Sequence, residues 1–533
     1  MKKSLIKLLS LALVIALACS LFAACGEKEE PASTTTTETT TDNSSTTTTT
    51  DNTQTSTADT KPAKDTIVVA TANEPPMLHP YDHNATAANY MNNLTFSTLF
   101  RSNVDTLEPE PSLVDTYEIV DDTTWRFKLH EGIKFHNGET MTAEDVKATM
   151  EWMRDFPYTS MYSGFWKEVT VEDDLTFVIV TNTPYAKTLY DLTAYKIVPK
   201  SLIDSGNDFN ANPCGSGPYK FVKWNLGDNL EFEAFEDYFE GAPAIPKMTW
   251  RIIPEGASRT IALEAGEIDF IVEVETNDLA RLKENKDITL VQKVGTQYNY
   301  MMINNERAPF NNADFRHAMN CAIDKAAVAQ VALSGAGTGI YGLTPMVFAG
   351  YSEENIDAYN VEKAKEYLEK SGIDPKTVNF NCICSDDTKR RAGEVIQASL
   401  QELGITMNLE SMDLATYLST TTDGNYDAAL GNYTSSNLMS LIEGIYYSKS
   451  IGGSNRSRLN DAQVDELYVK ATQTLDADER TALLEQCSAR LNEVCTQVPT
   501  YQADTIRAYN ANLQGVGVSA SGGTFWQYVS WGN

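Results

Sequence analysis

The chain is short of histidine, with five in 533 residues, and short of basic residues, with 42 Lys+Arg against 73 Asp+Glu. Scarce histidine leaves few metal centres to consider. His79 and His83 stand four apart, the spacing of two ligands on one helix face, but Pro80 between them spoils that geometry. The net charge of −31 argues against nucleic acid as a partner, because phosphates are held by clustered Lys and Arg. It argues equally against electrostatic docking on an anionic membrane. Neither G-x-S-x-G nor H-E-x-x-H occurs, and no unit repeats at a fixed period, which disfavours solenoids and propellers. Gly337-Thr338-Gly339-Ile340-Tyr341-Gly342 fits G-x-G-x-x-G, yet it follows a helical segment instead of a strand, so a nucleotide reading lacks its context. No metal, cofactor or enzymatic activity is assigned.

What is present begins with an address. Lys2, Lys3 and Lys7 precede an apolar stretch from Leu8 to Phe22, shorter than the roughly 20 residues of a membrane span. The stretch ends Leu21-Phe22-Ala23-Ala24-Cys25-Gly26, which resembles a bacterial lipobox, although Phe22 stands where an aliphatic residue is usual. Residues 1–24 are read as a lipoprotein signal peptide and Cys25 as the lipidated N-terminus. Cys19 is disfavoured because apolar residues follow it. Ser33–Thr60 holds 16 Thr and 4 Ser in 28 residues and no aromatic or large aliphatic side chain. Such a segment buries too little apolar surface to offset its ordering entropy. Residues 25–65 are therefore expected to form a flexible tether. Residues 25–64 hold seven acids and three lysines, so nearly all the acid excess belongs to the body.

Six cysteines lie in that body. Cys382 and Cys384 fall two apart in a strand-like segment and so face the same way; Cys487 and Cys495 are separated by about 12 Å of helix, too far to bridge. No histidine stands near a cysteine in a zinc-like spacing, and most of these thiols are read as small buried hydrophobes. Disulfide pairing stays open.

Strands are expected at Thr66–Thr71, Thr124–Leu129, Leu175–Val180, Thr406–Leu409 and Tyr426–Leu430, with Thr142 capping a helix and Asp145 three residues on. Val361–Lys370, Arg391–Leu403 and Val464–Val494 carry apolar residues at helical spacing. The alternation indicates α/β domains. Glycines 132, 138, 215 and 217 suit turns needing positive φ.

Several segments then match one family in register. They are Trp125–Leu129 with Gly132-Ile133-Lys134-Phe135-His136-Asn137-Gly138, Met141–Val146, Gly215-Ser216-Gly217-Pro218-Tyr219, Gly266-Glu267-Ile268-Asp269, Asn304, Pro309-Phe310, Arg316-His317-Ala318 and Ala322-Ile323-Asp324-Lys325. The chain thereby resembles the oligopeptide/dipeptide/nickel-binding class of ABC-transporter solute-binding proteins, the family 5 extracellular solute-binding proteins. The resemblance implies an α/β, periplasmic-binding-protein-like type II clamp of two lobes with an extra inserted domain. Lobe I would comprise residues 66–105, 205–303 and 500–533, inserted domain II 106–204, and lobe III 304–499, with hinges near 300 and 500. It further implies a monomer lipid-anchored outside the cytoplasmic membrane, taking a peptide or other small molecule and passing it to ABC permease subunits.

In peptide-binding relatives an Asp after the segment equivalent to Tyr426–Gly431 pairs with the peptide amino group. Here Gly431-Asn432-Tyr433-Thr434-Ser435-Ser436-Asn437 has no carboxylate. Either the amine is held elsewhere, with Glu443 a candidate, or the ligand is a neutral polar solute such as an oligosaccharide or blocked peptide. The candidate ligand contacts are Tyr81, His83, Phe165, Trp166, Tyr298, Tyr300, Asn432, Tyr433, Ser435, Asn437 and Trp526. A surface sensor or adhesin uncoupled from transport is the reading from another class.

Overall fold

The computed structural model describes residues 64–532 apart from Asn84. The expected signal peptide, Cys25 and all but the end of the expected tether lie outside the described residues. Two long strands organise the rest. Ile288–Ile303 and Gln497–Asn510 pair antiparallel, from Ile288 opposite Asn510 to Met302 opposite Gln497. Beyond Gln497–Asn510 the sheet continues through Phe270–Ile271, Thr66–Thr71, Lys247–Ile252, Asn229–Ala234 and Tyr219–Asn225. Beyond Ile288–Ile303 it continues through Ala428–Thr434, Asn379–Cys384 and Thr406–Ser411. Thr66–Thr71 and Asn379–Cys384 each run parallel to both neighbours, a pairing that needs crossover connections and explains the alternating helices.

Each half of the sheet has its own core. Trp250, Phe270 and Trp526 pack in the first; Phe310, Phe315, Phe380 and Ile396 pack in the second. The long strands slip out of register between Val294 and Tyr298 and between Asn299 and Tyr300. Such interruptions loosen a ladder locally.

A separate antiparallel sheet, in the order Val114–Asp121, Thr124–Leu129, Thr176–Thr181, Trp166–Val171, forms the third body. The Phe127 and Phe177 rings stack in its core at 5.2 Å. Helix Ala143–Trp152 begins as expected: the Asp145 carboxylate accepts from the Thr142 backbone N–H at 2.8 Å and its hydroxyl at 3.1 Å. The same carboxylate accepts from the Lys200 backbone N–H at 2.8 Å and so fastens the segment leaving this body.

Three expectations need correction. Val464–Val494 is two helices, Ala462–Gln473 and Ala477–Val494, because Asp476 accepts from the Asp478 and Glu479 N–H groups and starts the second. Gly132 and Gly138 have positive φ, but Gly215 and Gly217 do not. These two are glycine because a Cβ would stand 2.4 and 2.3 Å from the Thr95 and Leu94 carbonyl oxygens. Finally, a histidine does approach a cysteine. His317, Asp357 and Cys495 converge, since Arg316 and His317 of helix Ala313–Ala322 reach the carbonyls of Glu493, Val494 and Cys495 at the end of helix Ala477–Val494. His317 Nδ1 lies 2.5 Å from Asp357 and Nε2 3.0 Å from the Glu493 carbonyl, which uses both ring nitrogens. Ligands on a tetrahedral zinc stand about 3.3 Å apart, so 2.5 Å is a charge-assisted hydrogen bond. Burial alone would lower the His317 pKa; Asp357 and Cys495 together outweigh it and hold the ring up at about 10. The six cysteines of the body are free thiols, all buried except Cys214.

Candidate functional site

A cavity of about 490 Å³ opens where the Thr66-containing half of the large sheet meets the four-stranded body. Its walls come from five stretches distant in sequence. The first loop and helix Thr86–Thr95 supply Tyr81, His83, Asn89 and Asn93; the segment after them supplies Ser97, Thr98 and Arg101. Tyr158, Thr159, Tyr162, Tyr190, Thr193 and Lys196 come from the four-stranded body, and Pro218 and Tyr238 from around the Gly-Ser-Gly-Pro turn. The C-terminal loop adds Ser519, Ser521, Thr524, Phe525 and Gln527. From residues 304–499 a single lining residue, Ser436, reaches in. Beyond Tyr190 and Ser436 the space narrows into a crevice against Phe348, Asn437 and Leu484.

The walls are mostly hydroxyls, amides and aromatic rings, and among the described residues that line them there is no Asp or Glu. In a chain with 73 acids that is the site's main electrostatic feature. Two cations line it. Arg101 is closed off by Glu110 at 2.8 Å and Glu240 at 2.7 Å. Lys196 is not so paired: burial pushes its pKa down to about 8, and no carboxylate raises it. Tyr81 fixes the Lys196 backbone by donating its hydroxyl to the Lys196 carbonyl at 2.6 Å.

The candidate contacts divide between wall and core. Tyr81 and His83 line the cavity. His83 Nδ1 accepts the Ala85 N–H at 3.2 Å, and burial, with Lys196 nearby, lowers its pKa to about 4, so the ring is neutral. The single Nδ1 lone pair of His79 is shared by the Tyr81 and Asp82 N–H groups; with the Nδ1 of each ring turned to the backbone, the two histidines brace the loop. Phe165 stacks on Tyr185 at 5.0 Å, and Trp166 donates to the Tyr195 hydroxyl at 3.0 Å, so both belong to the core of the four-stranded body. Tyr298 and Tyr300 stack on each other at 5.2 Å in the core of the second half. Trp526 packs on Phe270 at 4.9 Å, whereas its neighbours Phe525 and Gln527 reach the cavity. Asn432 is exposed and Tyr433 lies over Gly444; neither lines the cavity. Asn437 caps helix Leu438–Ile445 by accepting the Ser440 N–H at 2.9 Å. The Ser435 hydroxyl is buried without a hydrogen-bond partner, and it is Ser436 that lines the cavity. Glu443 pairs with Lys187 at 2.8 Å, leaves half its side chain exposed and does not line the cavity.

That ion pair joins the four-stranded body to residues of the second half, helped by the Ala186 N–H donating to Thr472 O at 2.8 Å. Beside it Asp191 is buried and accepts the Tyr185 hydroxyl at 2.7 Å; burial raises its pKa to about 7 despite Lys187. A carboxyl so raised keeps its proton when folded and loses it when unfolded, between about pH 4 and 7. Stability from this group is thus full at low pH and lost as pH rises through 7. Asp191→Asn is expected to melt with the wild type at pH 4.5 and above it at pH 7.5, by differential scanning calorimetry; equal melting at both would show that Asp191 is ionised in the fold.

Two α/β halves on a shared sheet, an inserted third body and a polar cavity between bodies define a ligand-binding clamp, with no catalytic constellation among the lining residues. The family model for bacterial extracellular solute-binding proteins, family 5 Middle, matches residues 108–450, and the chain belongs to that family. It is 26% identical over 485 residues to heme-binding protein A of Haemophilus influenzae, covering 83% of this chain and 89% of that protein. It is 27% identical over 475 residues to the probable D,D-dipeptide-binding periplasmic protein DdpA of Escherichia coli K12, covering 85% and 91%. The solved structure of HbpA2 from Haemophilus parasuis superposes with a TM-score of 0.82 at 24% identity, over 88% of this chain and all of that one. The chain is an extracytoplasmic solute-binding protein of an ABC importer and not an enzyme. No helix among the described residues is long and apolar enough to cross a membrane.

Proposed function

We propose that this receptor captures short peptides or peptide-like solutes and hands them to its permease. The observation that carries this is the cavity: about 490 Å³ suits a molecule of two or three residues, and hydroxyl, amide and aromatic walls suit a polar backbone. A relative named for D,D-dipeptides supports the same class. Residues 66–105, 205–303 and 500–533 form lobe I, 106–204 the inserted domain and 304–499 lobe III. Solute that touches both sides of the cleft favours the closed form by its differential affinity. The test is dialysis of the protein against a digest of short peptides, with mass spectrometry of what is retained. Enrichment of di- and tripeptides is expected. Retention of neutral oligosaccharides instead would favour the second reading, which the same hydroxyl-rich walls support.

A lipid on Cys25 and the Thr/Ser tether hold the receptor at the outer face of the membrane. Cys25→Ala is expected to move it from the membrane fraction to the soluble fraction; retention in the membrane would place the anchor elsewhere.

A further inference from the structure

We propose that Lys196 anchors an anionic group, a carboxylate or a phosphate, of the solute held in the cavity, and that this contact selects acidic solutes over neutral and cationic ones. The inference rests on the cavity being the solute site and deepens the peptide reading by naming the charge the solute must carry.

Three observations converge on Lys196. It lies on the cavity wall, on a backbone held from two directions: its carbonyl accepts the Tyr81 hydroxyl, and it bridges Thr98. Its ammonium is the charge left over. Arg101, the other cation on the wall, spends its guanidinium on Glu110 and Glu240, and His83 is neutral. Among the described residues the cavity wall carries no carboxylate to neutralise Lys196 or receive a cationic solute; Glu108 lies in the crevice beyond, taken up by the Tyr190 hydroxyl. Burial without a counter-ion has pushed the Lys196 pKa down to about 8. Lys196 is part-buried on this wall, and an ammonium there that faces no carboxylate gains a partner when a ligand anion binds. The same charge repels an ammonium, which gives discrimination by exclusion as well as by attraction.

The test uses the folded wild type with Lys196→Met, Lys196→Gln and Lys196→Arg, each checked by its melting curve. All are dialysed against one pool of tripeptides, their C-terminal amides, small organic phosphates and neutral oligosaccharides. The wild type and Lys196→Arg are expected to retain acidic members, and Lys196→Met and Lys196→Gln to bind them at least about tenfold more weakly. Retention of free-acid tripeptides over their amides supports both the anchor and the peptide reading. Retention of organic phosphates alone, lost without the charge at position 196, keeps the anchor and removes the peptide reading. Equal retention of acids and amides by the wild type overturns the anchor, whether or not a variant folds. So does retention that is unchanged in Lys196→Gln, or a wild type that retains nothing.

Discussion

Gly217→Ala is expected to destabilise the protein by about 3 kcal/mol or more, and to do so at the wall of the site. A Cβ on Gly217 would stand 2.3 Å from Leu94 O, 2.5 Å from Thr95 C and 2.7 Å from Phe96 N. All three are backbone atoms, so no rotamer change relieves the contact. The turn is also fastened on its other side, where His136 lies 2.9 Å from Gly217 O and donates its backbone N–H to Gly215 O at 2.8 Å. Relief therefore requires moving the 94–97 segment, whose Ser97 faces the cavity and donates to Ser216 O at 2.8 Å. Gly132→Ala is the matched control. Its φ is +79° with nothing within 4 Å of the added atom, so only the left-handed backbone penalty of about 1–2 kcal/mol applies. Denaturant unfolding of the two variants tests this; equal costs would mean that close approach is not what position 217 requires.

Arg316→Met has the second large effect, about 3–5 kcal/mol, read as a lower unfolding midpoint. The buried Arg316 guanidinium donates to Cys495 O at 2.9 Å, Val494 O at 2.7 Å and Phe310 O at 2.9 Å. It thereby satisfies the end of helix Ala477–Val494, whose last carbonyls have no partner within the helix. Methionine keeps the stem and orphans three carbonyls, each worth roughly 1–3 kcal/mol when buried. Arg316→Lys should recover only part, because an ammonium cannot reproduce the fork. Arg490→Met, which breaks partly exposed pairs with Asp461 and Glu493, should cost about 1 kcal/mol or less. If Arg316→Met cost no more than that, the three carbonyls would have to find other partners.

These two residues illustrate what the sequence exposes. Both sit in motifs that carry the family resemblance, and both prove to be scaffold: one permits a backbone crossing and the other closes a helix. The strands at Thr66–Thr71, Thr124–Leu129 and Asn379–Cys384 were legible because their apolar patterns answer to local periodicity. The cavity answers to none. Its walls are serines, threonines and asparagines brought together from segments up to several hundred residues apart, and such residues look the same on any surface. Aromatic residues chosen from the sequence fell mostly into cores, where large rings bury the most area. At the C-terminal turn the choice missed by one position, Trp526 pointing inward and Phe525 and Gln527 toward the cavity. The same happened at Ser435 and Asn437, which flank the lining Ser436. Lys196 carries no sequence signal; its meaning comes from the missing carboxylates around it.

The central claim is that one polar cavity between bodies holds an acidic, peptide-sized solute. A crystal structure of the wild-type protein, loaded with whatever solute it retains most strongly from the dialysis pool, tests this most directly. The account predicts solute density in the cavity between Tyr81, Tyr190 and Phe525, with an anionic group within about 3 Å of Lys196 Nζ. Density in the crevice beside Phe348 and Leu484, or a solute in the cavity with its acid turned away from Lys196, would contradict it.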